Sequence, residues 1–319
     1  MKPTSITKIS DSLTENEHRD IAERLRSFKI DGIELSNAGG HWGATWETQT
    51  NYNLDFLKFY KGIKTLRLHL PGVTDITPIL HLADSLENLQ LGEFSQKKIS
   101  LSLLNKLSKL NYLSVVRNTN GLESITGLPE LTELALTGYS IDKLSYINKL
   151  EKLKRLYIGF GTSKSLNNID NLKNIEELDI LWVKQLSDIN AISKLAGLIK
   201  LKIEDEKQIQ SLPDLSQLKQ LKNIRLMNLG TLNDISSLTS SHVEEFILTG
   251  PSKDADILKP IIISKSVKKA FTYFYSKKEQ IKAEQLLGDK FCKLDKMSYE
   301  MDNGSGLLYY DINTGERII

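Results

Sequence analysis

The sequence predicts an α/β solenoid: a curved, right-handed coil of short units, with a parallel sheet on its concave face, 3₁₀ or irregular turns on its convex face, and a cap at each end. Three observations predict it. An apolar-x-x-apolar-x-apolar spacing occurs nine times, starting at Ile63, Leu86, Leu110, Leu131, Leu153, Ile175, Leu198, Leu221 and Val243, and all 27 of its key positions are apolar. Successive starts lie 23, 24, 21, 22, 22, 23, 23 and 22 residues apart, and a fixed period of that size marks stacked repeats. Between the copies, apolar residues recur every third position, as in Ile141, Leu144, Ile147 and Leu150.

The elements follow in chain order. Residues 1–53 are read as an N-terminal cap with an atypical first repeat. Met1–Lys8 leads into charged residues without an apolar core, so it is not read as a signal peptide. Ile21, Leu25 and Phe28 fall at helical spacing, which predicts a capping helix over 15–28. Ile30, Ile33 and Leu35 repeat the strand spacing, and a Gly-rich insertion carrying His41, Trp42 and Trp46 follows. That insertion reads either as a flap over the concave face or as a plug at the end of the core. Residues 54–275 hold the repeats. Each begins with alternating apolar and polar residues, the pattern of a strand with one buried face. The period of three behind each strand suits 3₁₀ turns, whose side chains align at i and i+3. Val267–Tyr275 reads as a last strand and Ser276–Leu287 as a helix. Residues 276–319 are expected to form a C-terminal cap or tail, with a turn at Asn313-Thr314-Gly315.

Units such as Leu186-Ser-Asp-Ile189-Asn-Ala-Ile192 and Leu232-Asn-Asp-Ile235-Ser-Ser-Leu238 resemble the short, 22-residue leucine-rich repeats of bacterial internalin-type proteins. The same repeat class occurs in a eukaryotic regulator of protein phosphatase 1. Leu54-Asp55-Phe56-Leu57 followed by Gly62-Ile63-Lys64-Thr65-Leu66 resembles the entry of a group of uncharacterised bacterial leucine-rich repeat proteins. The resemblance implies a binding surface without chemistry of its own. One departure stands out. The ninth repeat position, Asn in the family, is Pro71, Phe94, Asn118, Tyr139, Gly161, Val183, Glu206, Leu229 and Pro251, so one Asn of the usual ladder is kept.

Composition narrows the function classes. The 319 residues are 40% hydrophobic and 26% charged, with a net charge of +2. That balance gives no footing for nucleic acid or an acidic membrane. No run of 18 apolar residues is present, so no membrane span is predicted. The single cysteine, Cys292, fits a reducing compartment, and the chain is read as cytoplasmic. The histidines, His18, His41, His69, His81 and His242, show no metal-ligand spacing. Cys292 has no nearby histidine to activate it, and Gly159-Phe-Gly161-Thr-Ser-Lys164-Ser165 lacks the spacing of a phosphate loop. No catalytic residue, cofactor or metal is therefore predicted.

The outward positions of the concave face are three, five, seven and eight of each unit. Over the third to sixth repeats these collect Tyr112, Val116, Arg117, Arg155, Tyr157, Phe160, Leu181 and Trp182, with Lys202 and Arg225 beside them. Aromatic and arginine side chains are enriched at the buried centres of interfaces. The alternative for Phe160 and Trp182 is that they enter the core in place of the missing Asn. The expected function is a non-enzymatic, monomeric scaffold for a protein partner. The alternatives are an immunity or antitoxin protein that masks a toxin, and a regulatory or enzyme-linked role through the C-terminal tail.

Overall fold

The protein is described as a computed structural model over residues 4–9, 13–36, 52–95, 99–251, 254–298 and 307–318. His41, Trp42 and Trp46 lie outside the described residues. The chain divides into two compact units, residues 1–134 with 302–319, and residues 135–301.

In the first unit the strands are β1 (Thr4–Lys8), β2 (Gly32–Ser36), β3 (Thr65–His69), β4 (Asn88–Leu91) and β5 (Tyr112–Val116). The unit boundary falls within β6 (Glu133–Thr137). The second unit holds β7 (Arg155–Gly159), β8 (Glu177–Leu181), β9 (Lys200–Glu204), β10 (Asn223–Met227), β11 (Glu245–Thr249) and β12 (Lys269–Tyr273). From β1 to β5 and from β7 to β12, neighbouring strands pair in parallel and in chain order. Each strand from β3 to β11 begins at the same position of the repeat frame, so each key apolar residue lies beside its counterpart one repeat on, as Leu178 lies beside Leu156 and Leu201.

All 27 key apolar side chains are buried, none more than 4% exposed. Their strands alternate buried and half-buried residues, as in β5, β6 and β8. Behind them run short 3₁₀ turns such as Thr77–Leu82, Leu122–Gly127 and Asn190–Lys194, as the period of three predicts. The missing Asn ladder is replaced by packing. Phe94, Tyr139, Val183 and Leu229 are buried at the ninth position. Asn118 keeps the ladder's role, its amide donating to the Ile99 carbonyl at 3.1 Å. Elsewhere the loops satisfy each other. Thr162 N–H donates to Tyr139 O and Lys184 N–H to Gly161 O, which continues the parallel ladder past the strand ends.

The helix α1 (Glu15–Phe28) forms where its spacing predicts. Thr14 and Glu17 close a capping box at its start, and Lys29 ends it in the left-handed conformation. His18 is buried there, bonded to the Tyr60 hydroxyl at 2.7 Å and stacked on Phe56. It is a core histidine.

Two strands were not anticipated from the sequence. Thr4–Lys8 forms β1, and Leu307–Tyr309 forms β13, which adds to β1 in parallel with Ile6 beside Tyr309. The C-terminal residues therefore build the edge of the first unit. Glu34 fastens them. Its Oε2 accepts from Tyr309 Oη at 2.5 Å and from Arg67 Nη1 at 2.8 Å. Burial works against the ionised carboxyl, but these donors outweigh it and hold its pKa below the ordinary value. Tyr309→Phe is expected to destabilise the fold by about 1.5 kcal/mol, read from urea unfolding, because it removes a donor to a buried charge. An unchanged unfolding midpoint would show the contact to be idle.

The second unit ends with α2 (Lys259–Ile263), β12 and α3 (Lys277–Leu287), the last capped by Ser276. Phe291 bridges to Ala270 beyond β12, and Ser298 donates twice to Glu245 Oε2, at 2.9 and 2.7 Å.

Candidate functional site

From the third repeat to the ninth, the eighth position directly follows the strand. There this residue has positive φ: Arg117 50°, Gly138 83°, Phe160 55°, Trp182 47°, Asp205 58°, Asn228 55° and Gly250 64°. The six in the second unit share one hydrogen bond. Each donates its N–H to the carbonyl of the seventh residue of the next repeat, at 2.7–3.0 Å, as Phe160 does to Leu181 and Trp182 to Glu204. The left-handed turn thus extends the ladder by one bond and turns the chain towards the back.

Gly, Asn and Asp suit that conformation, and bulky side chains do not. Phe160 and Trp182 occupy it in adjacent repeats. Neither belongs to the buried core. Phe160 is half-buried, and Trp182 is 54% exposed. Their rings meet edge to face with centroids 5.5 Å apart, a favoured aromatic arrangement.

Tyr157 lies on the same face of the second unit. A Cβ on Gly159 would stand 2.2 Å from the Tyr157 hydroxyl, so the absence of a side chain at Gly159 lets the phenol lie along its own strand. Burial, with the charges of Asp179 and Glu204 behind it, pushes the Tyr157 pKa up to about 12. Leu181 is half-buried at the end of β8.

The charged predictions are mostly committed to internal pairs. Arg155 Nε lies 3.4 Å from Glu177, which also takes Lys200 at 3.0 Å. Lys202 sits between Asp179 at 3.3 Å and Glu204 at 2.9 Å. Asp179 keeps a buried Oδ1 with no hydrogen-bond partner among the described residues, and burial raises its pKa against the pull of Lys202. Arg225 is buried, its Nε donating to Met227 Sδ at 2.8 Å. Tyr112, Val116 and Arg117 belong to the first unit, where Arg117 pairs with Glu93 at 3.1 Å. The structure thus brings Arg155, Tyr157, Phe160, Leu181, Trp182, Lys202 and Arg225 onto one unit.

Reading only the third to sixth repeats misses residues further along that unit. Tyr273 and Tyr275 are exposed and meet edge to face at 5.9 Å. Their place at the end of the predicted last strand, Val267–Tyr275, was the available signal. A chain of polar contacts runs between the two aromatic pairs. Tyr275 Oη donates to Asn228 Oδ1 at 3.2 Å, and Asn228 Nδ2 donates to Asp205 Oδ1 at 3.0 Å. A Cβ on Gly250 would stand 2.4 Å from Asn228 Oδ1, so glycine leaves room for this chain.

Glu206 stands at the ninth position of the seventh repeat and is 2% exposed. Its Oε1 accepts the Val183 N–H at 2.5 Å. It serves as the acceptor that the ladder Asn would supply. Burial pushes its pKa up to about 7.

Among the described residues no group of three or more His, Cys, Asp or Glu could hold a metal ion, and no helix is long and apolar enough to cross a membrane.

Strand spacing, parallel order and 3₁₀ backs make the fold a leucine-rich repeat solenoid with short repeats. No protein-family model and no curated protein sequence matches the chain. Solved structures do resemble it. An internalin, InlF, of Listeria monocytogenes is 18% identical over 87% of each chain, with a TM-score of 0.46. The functional domain of InlJ from the same organism, described as including a cysteine ladder, is 16% identical over 76% of this chain and 59% of its own, with a TM-score of 0.43. A leucine-rich repeat protein of Leptospira interrogans is 15% identical over 91% of this chain and 90% of its own, with a TM-score of 0.36.

Proposed function

We propose that the chain is a non-enzymatic scaffold that holds a protein partner on the open sheet face and loop edge of its second unit. One observation carries this reading. Phe160 and Trp182 stand in a conformation that disfavours large side chains, and the Trp182 ring is presented to solvent instead of the core. Backbone strain at a surface position points to function, and an exposed tryptophan is the residue type that most often anchors an interface. The ion pairs of Glu177, Asp179 and Glu204 hold the surrounding face rigid, which lowers the entropy lost on binding.

The test is affinity capture from the lysate of the source organism, with wild-type protein and Trp182→Asn as parallel baits. A protein retained by the wild type and lost from the variant supports the reading. Equal retention by both overturns it.

A further inference from the structure

We propose that Trp182 and Asp205 together form a docking point for an arginine side chain of the protein partner. This rests on the protein-binding reading above and names the chemistry of its central contact.

The two residues are neighbours in the left-handed column, one strand apart, which is about 4.8 Å along the sheet. Both are fixed through the backbone, Trp182 N–H to Glu204 O at 3.0 Å and Asp205 N–H to Met227 O at 2.9 Å. Phe160 braces the indole from one side. On the other side the Tyr275–Asn228 contacts hold the Asp205 carboxyl through Oδ1. Its second oxygen makes no hydrogen bond or ion pair to a described residue.

The surrounding charges distinguish Asp205. On the same unit Glu177 pairs with Arg155 and Lys200, Asp179 and Glu204 share Lys202, and Glu245 takes Lys269 at 3.2 Å. Asp205 has no ion pair among the described residues. A positioned carboxylate beside an exposed indole is complementary to a cation. Arginine fits it better than lysine, because its planar guanidinium stacks on an aromatic face while its N–H groups reach a carboxylate.

The test uses the full chain labelled with 5-fluorotryptophan and titrated with N-acetyl-argininamide, read by fluorine NMR. The Trp182 resonance is assigned by its loss in Trp182→Asn, and the signals of Trp42 and Trp46 report non-specific effects. The expected result is a saturable shift of the Trp182 signal, with binding about tenfold weaker in Asp205→Asn. Asparagine tolerates the left-handed backbone, so this variant keeps the turn. A shift of equal size with the neutral isostere N-acetyl-citrullinamide overturns the proposal, as does an unchanged affinity in Asp205→Asn or no shift at all. If the proposal fails while lysate capture still depends on Trp182, the arginine is wrong and the protein-binding reading stands. If capture does not depend on Trp182, that reading fails as well.

Discussion

Trp182→Asn is expected to abolish partner capture while the thermal midpoint stays unchanged or rises. The two effects separate because they come from different atoms. The indole is 54% exposed, so its removal leaves no cavity. It loses the edge contact with Phe160, worth about 0.5–1.5 kcal/mol. Against that, Asn occupies the left-handed turn more readily, which returns about 1 kcal/mol. The turn's hydrogen bond to Glu204 is a backbone bond and remains. A neighbouring core change behaves oppositely. Leu178→Ala, at a 1% exposed position on the same strand, is expected to destabilise by about 2–5 kcal/mol and to weaken capture only as far as it unfolds the protein. Differential scanning calorimetry beside quantitative capture checks both. A Trp182→Asn midpoint lowered as far as that of Leu178→Ala would mean the indole is structural.

The second large effect concerns pH. Glu206 has a folded pKa near 7 against an ordinary 4.5. A raised carboxyl pKa means that the fold prefers the protonated form. Relative to a neutral side chain, its contribution is therefore most favourable below about pH 4.5. It declines as pH rises from there to about 7 and is flat above. The total decline is roughly 3 kcal/mol. Glu206→Gln keeps an acceptor for the Val183 N–H and removes the titration. The variant should match the wild type at pH 4.5 and exceed it by roughly 3 kcal/mol at pH 8 in urea unfolding, with a thermal midpoint several degrees higher at that pH. Parallel pH profiles for the two proteins would sink this account. Because Val183 directly follows Trp182, the same comparison shows whether ionising Glu206 loosens the anchor.

The repeat frame was legible in the sequence because its signal recurs nine times at one spacing. The capping helix was legible through Ile21, Leu25 and Phe28 at helical spacing. β1 and β13 were not, and the physical reason is length and distance. Each is five residues or fewer, and their pairing joins opposite ends of the chain, where no local pattern reports it. The left-handed column was hidden for another reason. Arg117, Phe160 and Trp182 are not residues from which a positive φ is read. The signal lay in their column mates, since Gly138, Asp205, Asn228 and Gly250 in the same frame are all types that favour it. The aromatic cluster was seen, but its posture was not. The sequence left open whether Phe160 and Trp182 fill the core; both stand in the left-handed turn, where Phe160 is half-buried and Trp182 54% exposed.

The left-handed column also acts as a ruler. Whatever side chain a column position carries, its N–H holds the next strand end, so identity there is separable from folding. The second unit therefore offers a row of pegs at intervals of about 4.8 Å, of which Gly250 is held to glycine by the Asn228 Oδ1 beside it. Exchanging Trp182 with Gly138, for example, would shift the anchor by two intervals without rewriting any core residue. Related arrays could diverge in partner choice by permuting this single letter per repeat, a far shorter route than remodelling a face.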